Sequence, residues 1–305
     1  MKRAVLALTT ALAVGGALTL VGCSGDDSGS SDGKPTVVTS TNVWGAVASA
    51  VAGDKASVTV LFNDPTGDPH EFEPSAADSA KVVDADVVLM NGGHYDEYME
   101  KASQNAKGSV INAFDTMTGH HEDTDHSAHG ETNEHVFYNL PVVGQVATEL
   151  ADDLAKKDEA NATTYRDNAK AFNEKIDGLR GSLADIKKTH DGTKVAQTEP
   201  LAAYLLTEAG LRDIAPEGFT SAVEEGQSPS AADRAAMEDL LRKHEVQVFI
   251  YNTQAVDAVT EALLSIAKSA NVPVVEFTET LPAGQTSYID WQQKQIAALA
   301  SALPA

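Results

Sequence analysis

The sequence predicts an α/β fold: two βα lobes with mainly parallel sheets, joined by one long spanning helix. Three observations carry this reading. Short β-branched runs alternate with longer amphipathic ones, the runs fall into two series, and a single sustained apolar stripe lies between the series. The first series is TVVTS at 36–40, VTVLF at 58–62, DVVLM at 86–90 and SVINA at 109–113; the second is KVAQT at 194–198, VQVFIY at 246–251 and PVVEF at 273–277. These runs are continuous rather than alternating, as expected of strands buried on both faces of a parallel sheet. In the stripe, Tyr165, Ala169, Phe172, Ile176, Leu179, Leu183 and Ile186 recur at alternating spacings of 4 and 3, one helix face over six turns. Asp191-Gly192 ends the helix. About 30 helical residues span roughly 45 Å, enough to run along two stacked lobes.

Taken from the N-terminus, Lys2 and Arg3 precede an apolar stretch from Ala4 to Val21, which ends in Leu20-Val21-Gly22-Cys23 before the composition turns to Ser, Gly and Asp. A basic start, an apolar run and a small residue before a break form an export signal. Its end resembles the lipobox of bacterial lipoproteins, which implies removal of residues 1–22 and lipidation of Cys23, the only cysteine. Residues 23–35 read as a flexible tether, since Gly, Ser and Asp bury too little apolar surface to order themselves. The expected body is an N-terminal α/β lobe over 36–140 with a histidine-rich loop at 119–135, a helical region over 141–192 that includes the spanning helix, and a C-terminal α/β lobe over 193–305.

Composition removes several function classes. The 305 residues carry 45 acidic and 22 basic side chains, a formal charge of −23; loss of residues 1–22 takes away Lys2 and Arg3 and no acidic group, leaving 20 basic. Such a surface repels a phosphate backbone, so nucleic acid is not an expected partner. No G-x-G-x-x-G follows a strand and no G-x-x-x-x-G-K-[ST] occurs, which argues against nucleotide chemistry. The string G-x-S-x-G occurs only at Gly29–Gly33, in the tether and not in a strand-to-helix elbow, and a lipidated Cys23 leaves no thiol nucleophile.

Histidine is where chemistry concentrates. His120, His121, His126, His129 and His135 fall within 16 residues, interleaved with Glu122, Asp123, Asp125, Glu131 and Glu134. Imidazole with carboxylate suits divalent transition metals, but a Gly-, Ser- and Thr-containing run without periodicity reads as a mobile loop that binds weakly, or as a solvated insertion. A second candidate is Gly67-Asp68-Pro69-His70-Glu71-Phe72-Glu73-Pro74, which follows the strand run ending at Phe62. Residues at the carboxyl ends of strands in an open α/β sheet point into the ligand crevice.

Asp68-Pro69-His70, then Glu73-Pro74-Ser75, Asp86-Val-Val-Leu-Met-Asn91-Gly92, the acidic histidine loop and His135 together resemble the zinc- and manganese-specific substrate-binding lipoproteins of bacterial ABC importers. The similarity runs from Val37 to Leu303 and includes Glu225-Gly226-Gln227-Ser228-Pro229-Ser230. It implies two α/β lobes joined by one helix and an ion held between them by four side chains. His70 matches the first ligand and His135 the second, although Phe137 stands where the family usually has tryptophan. Glu199, five residues before Tyr204, matches the third. Glu279 is the best match to the fourth, with Glu276 competing and Asn252 or Asp290 as further possibilities. Glu199 could instead cap the helix expected near Pro200. His94 matches no ligand, and His190 and His244 read as helix C-terminal residues.

Two imidazoles and two carboxylates accept zinc or manganese. Glu199 in place of histidine resembles the manganese branch, whereas the histidine loop, with His120, His121, His126 and His129 as auxiliary ligands, resembles the zinc branch; zinc is favoured. The resemblance implies a monomeric, non-enzymatic receptor, lipid-anchored outside the cytoplasm, that delivers its ion to an importer permease. A siderophore- or chelate-binding receptor of the same architecture, or a metal-dependent hydrolase using His70 and Glu73, are the alternatives.

Overall fold

The computed structural model describes residues 33–118 and 133–304. Cys23 and the loop histidines His120, His121, His126 and His129 lie outside the described residues. In chain order the elements are β1 (Thr36–Thr41), α1 (Asn42–Ala52), β2 (Ser57–Phe62), α2 (Ala76–Asp84), β3 (Val87–Met90), α3 (Glu97–Ser103), β4 (Ser109–Asn112) and α4 (Ala113–Thr118). Next come α5 (Leu140–Lys157), α6 (Ala162–His190), β5 (Lys194–Gln197), α7 (Ala203–Glu208), β6 (Arg212–Asp213), α8 (Glu217–Glu224), α9 (Ala231–Arg242), β7 (Val248–Asn252), α10 (Ala258–Ser269), β8 (Val274–Phe277) and α11 (Tyr288–Ala302).

Two four-stranded sheets result, ordered β2-β1-β3-β4 and β6-β5-β7-β8, and every described pairing is parallel. Each sheet therefore has its chain reversal between its first and third strands. At such a switch point the connections leave in opposite directions and open a crevice at the carboxyl ends of the strands.

Side-chain alternation divides each sheet between two cores. Val37, Val87 and Leu89 face one way in the first sheet and Val195, Val248 and Ile250 do so in the second; all six join one continuous core that includes α5, α6 and α11. Val38, Val88 and Met90 face α2 and α3 in a smaller core. Ala196, Phe249 and Tyr251 face α8, α9 and α10 in another.

The 29-residue α6 is about 44 Å long. Its buried residues are Tyr165, Ala169, Phe172, Ile176, Leu179, Leu183 and Ile186, the stripe read from the sequence. It lies against α1, α5, α7 and α11, so elements flanking both sheets share it. The C-terminal turn fits its sequence: Gly192 takes φ 77°, open to glycine without steric cost.

Two strand expectations need correction. Strand β2 is an edge strand whose residues 57–61 are exposed or half-buried, because only β1 pairs with it and solvent keeps one side. Strand β6 is only Arg212 and Asp213, whose charged side chains gave no apolar signal.

Candidate metal centre

The crevice side chains are set by turns at strand ends. His70 sits in a 3-10 turn over Pro69–Glu71, after β2; Pro69 fixes the first position and the Asp68 carboxylate accepts the His70 backbone N–H at 2.9 Å. His135 immediately precedes the turn Val136–Tyr138, which leads into α5 with Asn139 at its N-cap. Glu199 follows β5, Asn252 closes β7, and Glu279 lies two residues beyond β8. Glu279 is fixed by its backbone: the Gln254 side-chain oxygen accepts the N–H groups of Glu279 at 2.6 Å and Thr280 at 3.0 Å.

The lobes meet through polar bonds around this point. Asn42 and Leu281 exchange two hydrogen bonds, of 3.2 and 2.9 Å, across the crevice. Gln254 Nε2 donates to the carbonyls of Pro65 and Gly67, in the loop that leads to His70. Tyr138 donates to the Thr278 carbonyl at 2.6 Å and Tyr288 to the Phe137 carbonyl at 2.7 Å. Strand ends of both sheets are thereby held at one place.

Within it, Glu279 Oε2 lies 3.3 Å from His70 Nε2 and 3.9 Å from His135 Nε2, and it accepts the Tyr95 hydroxyl at 3.1 Å. Asn252 Nδ2 donates to Glu279 Oε1 at 2.8 Å and also to Glu199 Oε1. Ligand atoms of His70, His135 and Glu279 lie within 4.8 Å of one another, and so do those of His135, Glu199 and Glu224. His135, Glu199 and Glu279 are buried, at 0%, 2% and 1% exposure; the His70 side chain keeps 27% and marks the solvent side.

Electrostatics follow from burial and pairing. Burial opposes a charge on His70, but the hydrogen bond and attraction of Glu279, with Glu134 and Asp68, prevail and push its pKa up to about 10. Burial equally opposes ionised Glu279, yet His70 and His135 and the Asn252 hydrogen bond hold it down to about 2. Burial lowers His135 to about 4, which leaves a neutral imidazole at physiological pH. Burial, reinforced by the nearby Glu279 charge, raises Glu199 well above the usual carboxylate range.

Among the side chains of this cluster, one buried atom is left unpaired. His135 Nε2 finds no hydrogen-bond partner among the described residues. A desolvated nitrogen lone pair costs free energy unless something fills it. Here it faces the Glu279 carboxylate, where a divalent cation would satisfy both.

The four residues named from sequence are thus gathered in one region. Glu276 is not: it is exposed on β8, because it lies one strand position from the buried Phe277 and points to the other face. Asp290 is in the first turn of α11, where its N–H bonds to the capping Ser287. Glu199 makes no side-chain capping bond, which removes the capping alternative. His94 is 85% exposed beside Glu97, His190 is the last residue of α6, and His244 follows the end of α9 with φ 53°.

Sequence reasoning missed Tyr95 and Glu224, and it placed Glu134 in the histidine cluster and not beside His70. Glu134 Oε1 lies 3.7 Å from His70 Nδ1, and Glu224 Oε1 3.6 Å from His135 Nδ1. Glu134 had a signal in its place beside His135; Glu224, at the end of α8, had none beyond its charge. Phe137, at the position of the usual tryptophan, packs edge-on against His135 with ring centroids 5.7 Å apart and walls the crevice with Tyr95 and Trp291.

The chain is 28% identical over 306 aligned residues to the zinc-binding lipoprotein AdcA of Streptococcus pneumoniae, covering 93% of this chain and 58% of AdcA. It is 30% identical over 174 residues to the manganese-binding lipoprotein MntA of Halalkalibacterium halodurans, covering 55% of this chain and 56% of MntA. The chain thus spans little more than half the length of these two relatives. The solved laminin-binding protein Lmb of Streptococcus agalactiae shares the fold, with a TM-score of 0.72 at 22% identity over 89% of this chain and all of Lmb. The sequence model of the zinc-uptake complex component A periplasmic family, ZnuA, matches residues 37–302, and the chain belongs to that family.

Proposed function

We propose that this chain captures a divalent transition metal ion outside the cytoplasm, zinc ahead of manganese, and delivers it to the membrane permease of an ABC importer. The observation that carries the reading is the unpartnered, fully buried His135 Nε2 facing Glu279, with His70 on the other side of the same carboxylate oxygen. His70, His135, Glu199 and Glu279 are the ligands of this reading, two imidazoles and two carboxylates contributed by strand ends of both sheets. The ion is cargo, held by protein groups in a crevice closed by bonds between lobes, and not a reagent that must keep an open position for water.

Cys23 supplies the lipid anchor in this reading, and the histidines at 120, 121, 126 and 129 supply auxiliary, weaker metal affinity. The names of AdcA, a zinc-binding lipoprotein, and MntA, a manganese-binding lipoprotein, agree with the class of ion and with an anchored receptor. Zinc is placed first because imidazole suits it well and the chain carries a histidine cluster beyond the quartet. A hydrolase pairing His70 with Glu73 has less support, since Glu73 is exposed and joins no metal-ligating group among the described residues. A large-chelate receptor is disfavoured by the same crowding of His70, His135 and Glu279 around one point.

Native mass spectrometry of protein purified without added metal, followed by zinc-against-manganese competition, tests the reading. One tightly held ion is expected, lost in His70→Ala and in His135→Ala. Full-affinity binding by either variant would overturn the ligand assignment.

A further inference from the structure

Asn133 sits at the point where the ring of His135 is held, and no role has been assigned to it. Its side-chain oxygen accepts two hydrogen bonds from the same residue: the His135 backbone N–H at 2.9 Å and ring Nδ1 at 2.9 Å. Its side-chain nitrogen donates to the Pro200 carbonyl at 2.6 Å. These partners fix the amide orientation, because a carbonyl can only accept and a backbone N–H can only donate. The atom facing the ring is therefore oxygen, and His135 must carry its proton on Nδ1. The lone pair is then on Nε2, the nitrogen that meets no partner and faces Glu279.

We propose that Asn133 is a positioning residue for metal capture: by accepting Nδ1–H it locks His135 in the tautomer and ring orientation that aims Nε2 at the ion. The inference rests on the metal-capture reading above. A neutral imidazole has two tautomers, and only one presents a lone pair to a given place. Partners of the second ring nitrogen commonly set this choice in metal sites, and losing one typically weakens binding by about 10- to 100-fold.

The same residue joins the two sides of the crevice. Pro200, whose carbonyl it binds, directly follows Glu199, and Tyr204 at the start of α7 donates its hydroxyl to the Asn133 carbonyl at 2.6 Å. The ring of His135 and the turn bearing Glu199 are thus registered through one side chain. The other histidine has no such arrangement, for Asp68 accepts the His70 backbone N–H while the His70 ring faces carboxylates.

The test reads tautomer and affinity separately. Nitrogen-15 NMR of the metal-free wild-type protein should place the His135 proton on Nδ1; a proton on Nε2 overturns the proposal without any variant. Asn133→Ala should lose the single Nδ1–H signature and bind zinc, measured against a chromophoric chelator, about 10- to 100-fold more weakly. Tyr204→Phe removes a tether and leaves the ring acceptor, so it should keep both tautomer and affinity. An unchanged tautomer in Asn133→Ala, or equal losses in the two variants, makes Asn133 a structural tether and sinks the inference. Failure of wild-type protein to bind zinc, or tight binding by His135→Ala, would instead count against the metal-capture reading itself.

Discussion

His70 Nε2 and Glu279 Oε2 stand 3.3 Å apart, so an imidazole that keeps 27% of its side chain in solvent is paired with a carboxylate that keeps 1%. In the proposed function this pair stands where the ion would bind. A proton on His70 does, less well, what a divalent ion would do: it neutralises Glu279 inside a crevice that also holds Glu199, Glu134 and Glu224.

The first prediction follows from that competition. With its pKa pushed up to about 10, His70 is protonated across the neutral range, and a metal must displace the proton to reach Nε2. Zinc affinity should therefore rise by about tenfold per pH unit between roughly pH 6 and 8 for this one proton. A histidine at the ordinary value of about 6.5 would level off near neutrality instead. Calorimetry in buffers of different ionisation enthalpy measures the released proton directly; no release at pH 7.5 would contradict the pairing. The linked effect of His70 on folding runs in the opposite sense. The raised His70 value contributes stability that is complete below about 6.5 and fades as pH rises through about 10. The lowered Glu279 value contributes stability that is complete above about 4.5 and fades as pH falls through about 2.

A paired substitution tests the fourth ligand. Glu279→Ala should cripple metal binding, since it removes the carboxylate between the two imidazoles. Glu276→Ala should leave the dissociation constant unchanged within error, because that side chain is exposed on the other face of β8. Isothermal titration of both variants decides the matter. Equal losses would mean that β8 is displaced by one residue in the loaded protein.

The contrast between these two glutamates also shows how much of the structure is legible in the sequence. The spanning helix was legible in full, because burial of one face leaves a periodic record from Tyr165 to Ile186. The strand runs were legible where both faces are covered, as at Val87–Met90, and misleading at the edge, as in β2. At the site, His70 and His135 were legible through their surrounding motifs. Glu224 was not: α8 brings it to the crevice by tertiary packing, and nothing in its local sequence separates it from other surface acids. Asn133 was invisible for a related reason, since its side-chain amide is oriented by the Pro200 carbonyl, 67 residues away.

The shared core makes a prediction about cooperativity. Leu183, on α6, is fully buried in the core cluster that includes residues of both sheets. Leu183→Ala should cost about 2–5 kcal/mol through lost burial and the cavity left behind. Urea unfolding followed by fluorescence and by circular dichroism should still show one coincident transition. Two separated transitions would mean that the lobes unfold independently and that α6 belongs to only one of them.

Binding should also stabilise the folded state selectively. An ion that binds only the native protein adds about 4 kcal/mol at a thousandfold excess over its dissociation constant, and the melting temperature rises accordingly. Zinc and manganese should produce this shift. Calcium and magnesium should not, because hard cations favour an all-oxygen shell and the crevice offers two imidazoles. A calcium-induced shift of equal size, retained in His135→Ala, would identify a carboxylate site unrelated to the quartet.

The last prediction separates the quartet from the histidine-rich segment. His70, Glu199 and Glu279 follow strands, and His135 precedes the turn into α5; all four lie outside residues 119–131. Deleting 119–131 removes four histidines and spares Asn133, which holds the His135 ring. The deletion variant should keep one tight ion, with a dissociation constant changed by less than about tenfold, or 1.4 kcal/mol. Weaker additional sites should vanish from the titration. The reason is organisation: ligands fixed by folding bind without an ordering cost, whereas if residues 119–131 are the mobile loop that their composition predicts, ordering them around an ion costs roughly 1–2 kcal/mol per residue. If the tight site disappears while the variant remains folded by circular dichroism, the segment is the primary metal site and the roles given to Glu199 and Glu279 are wrong.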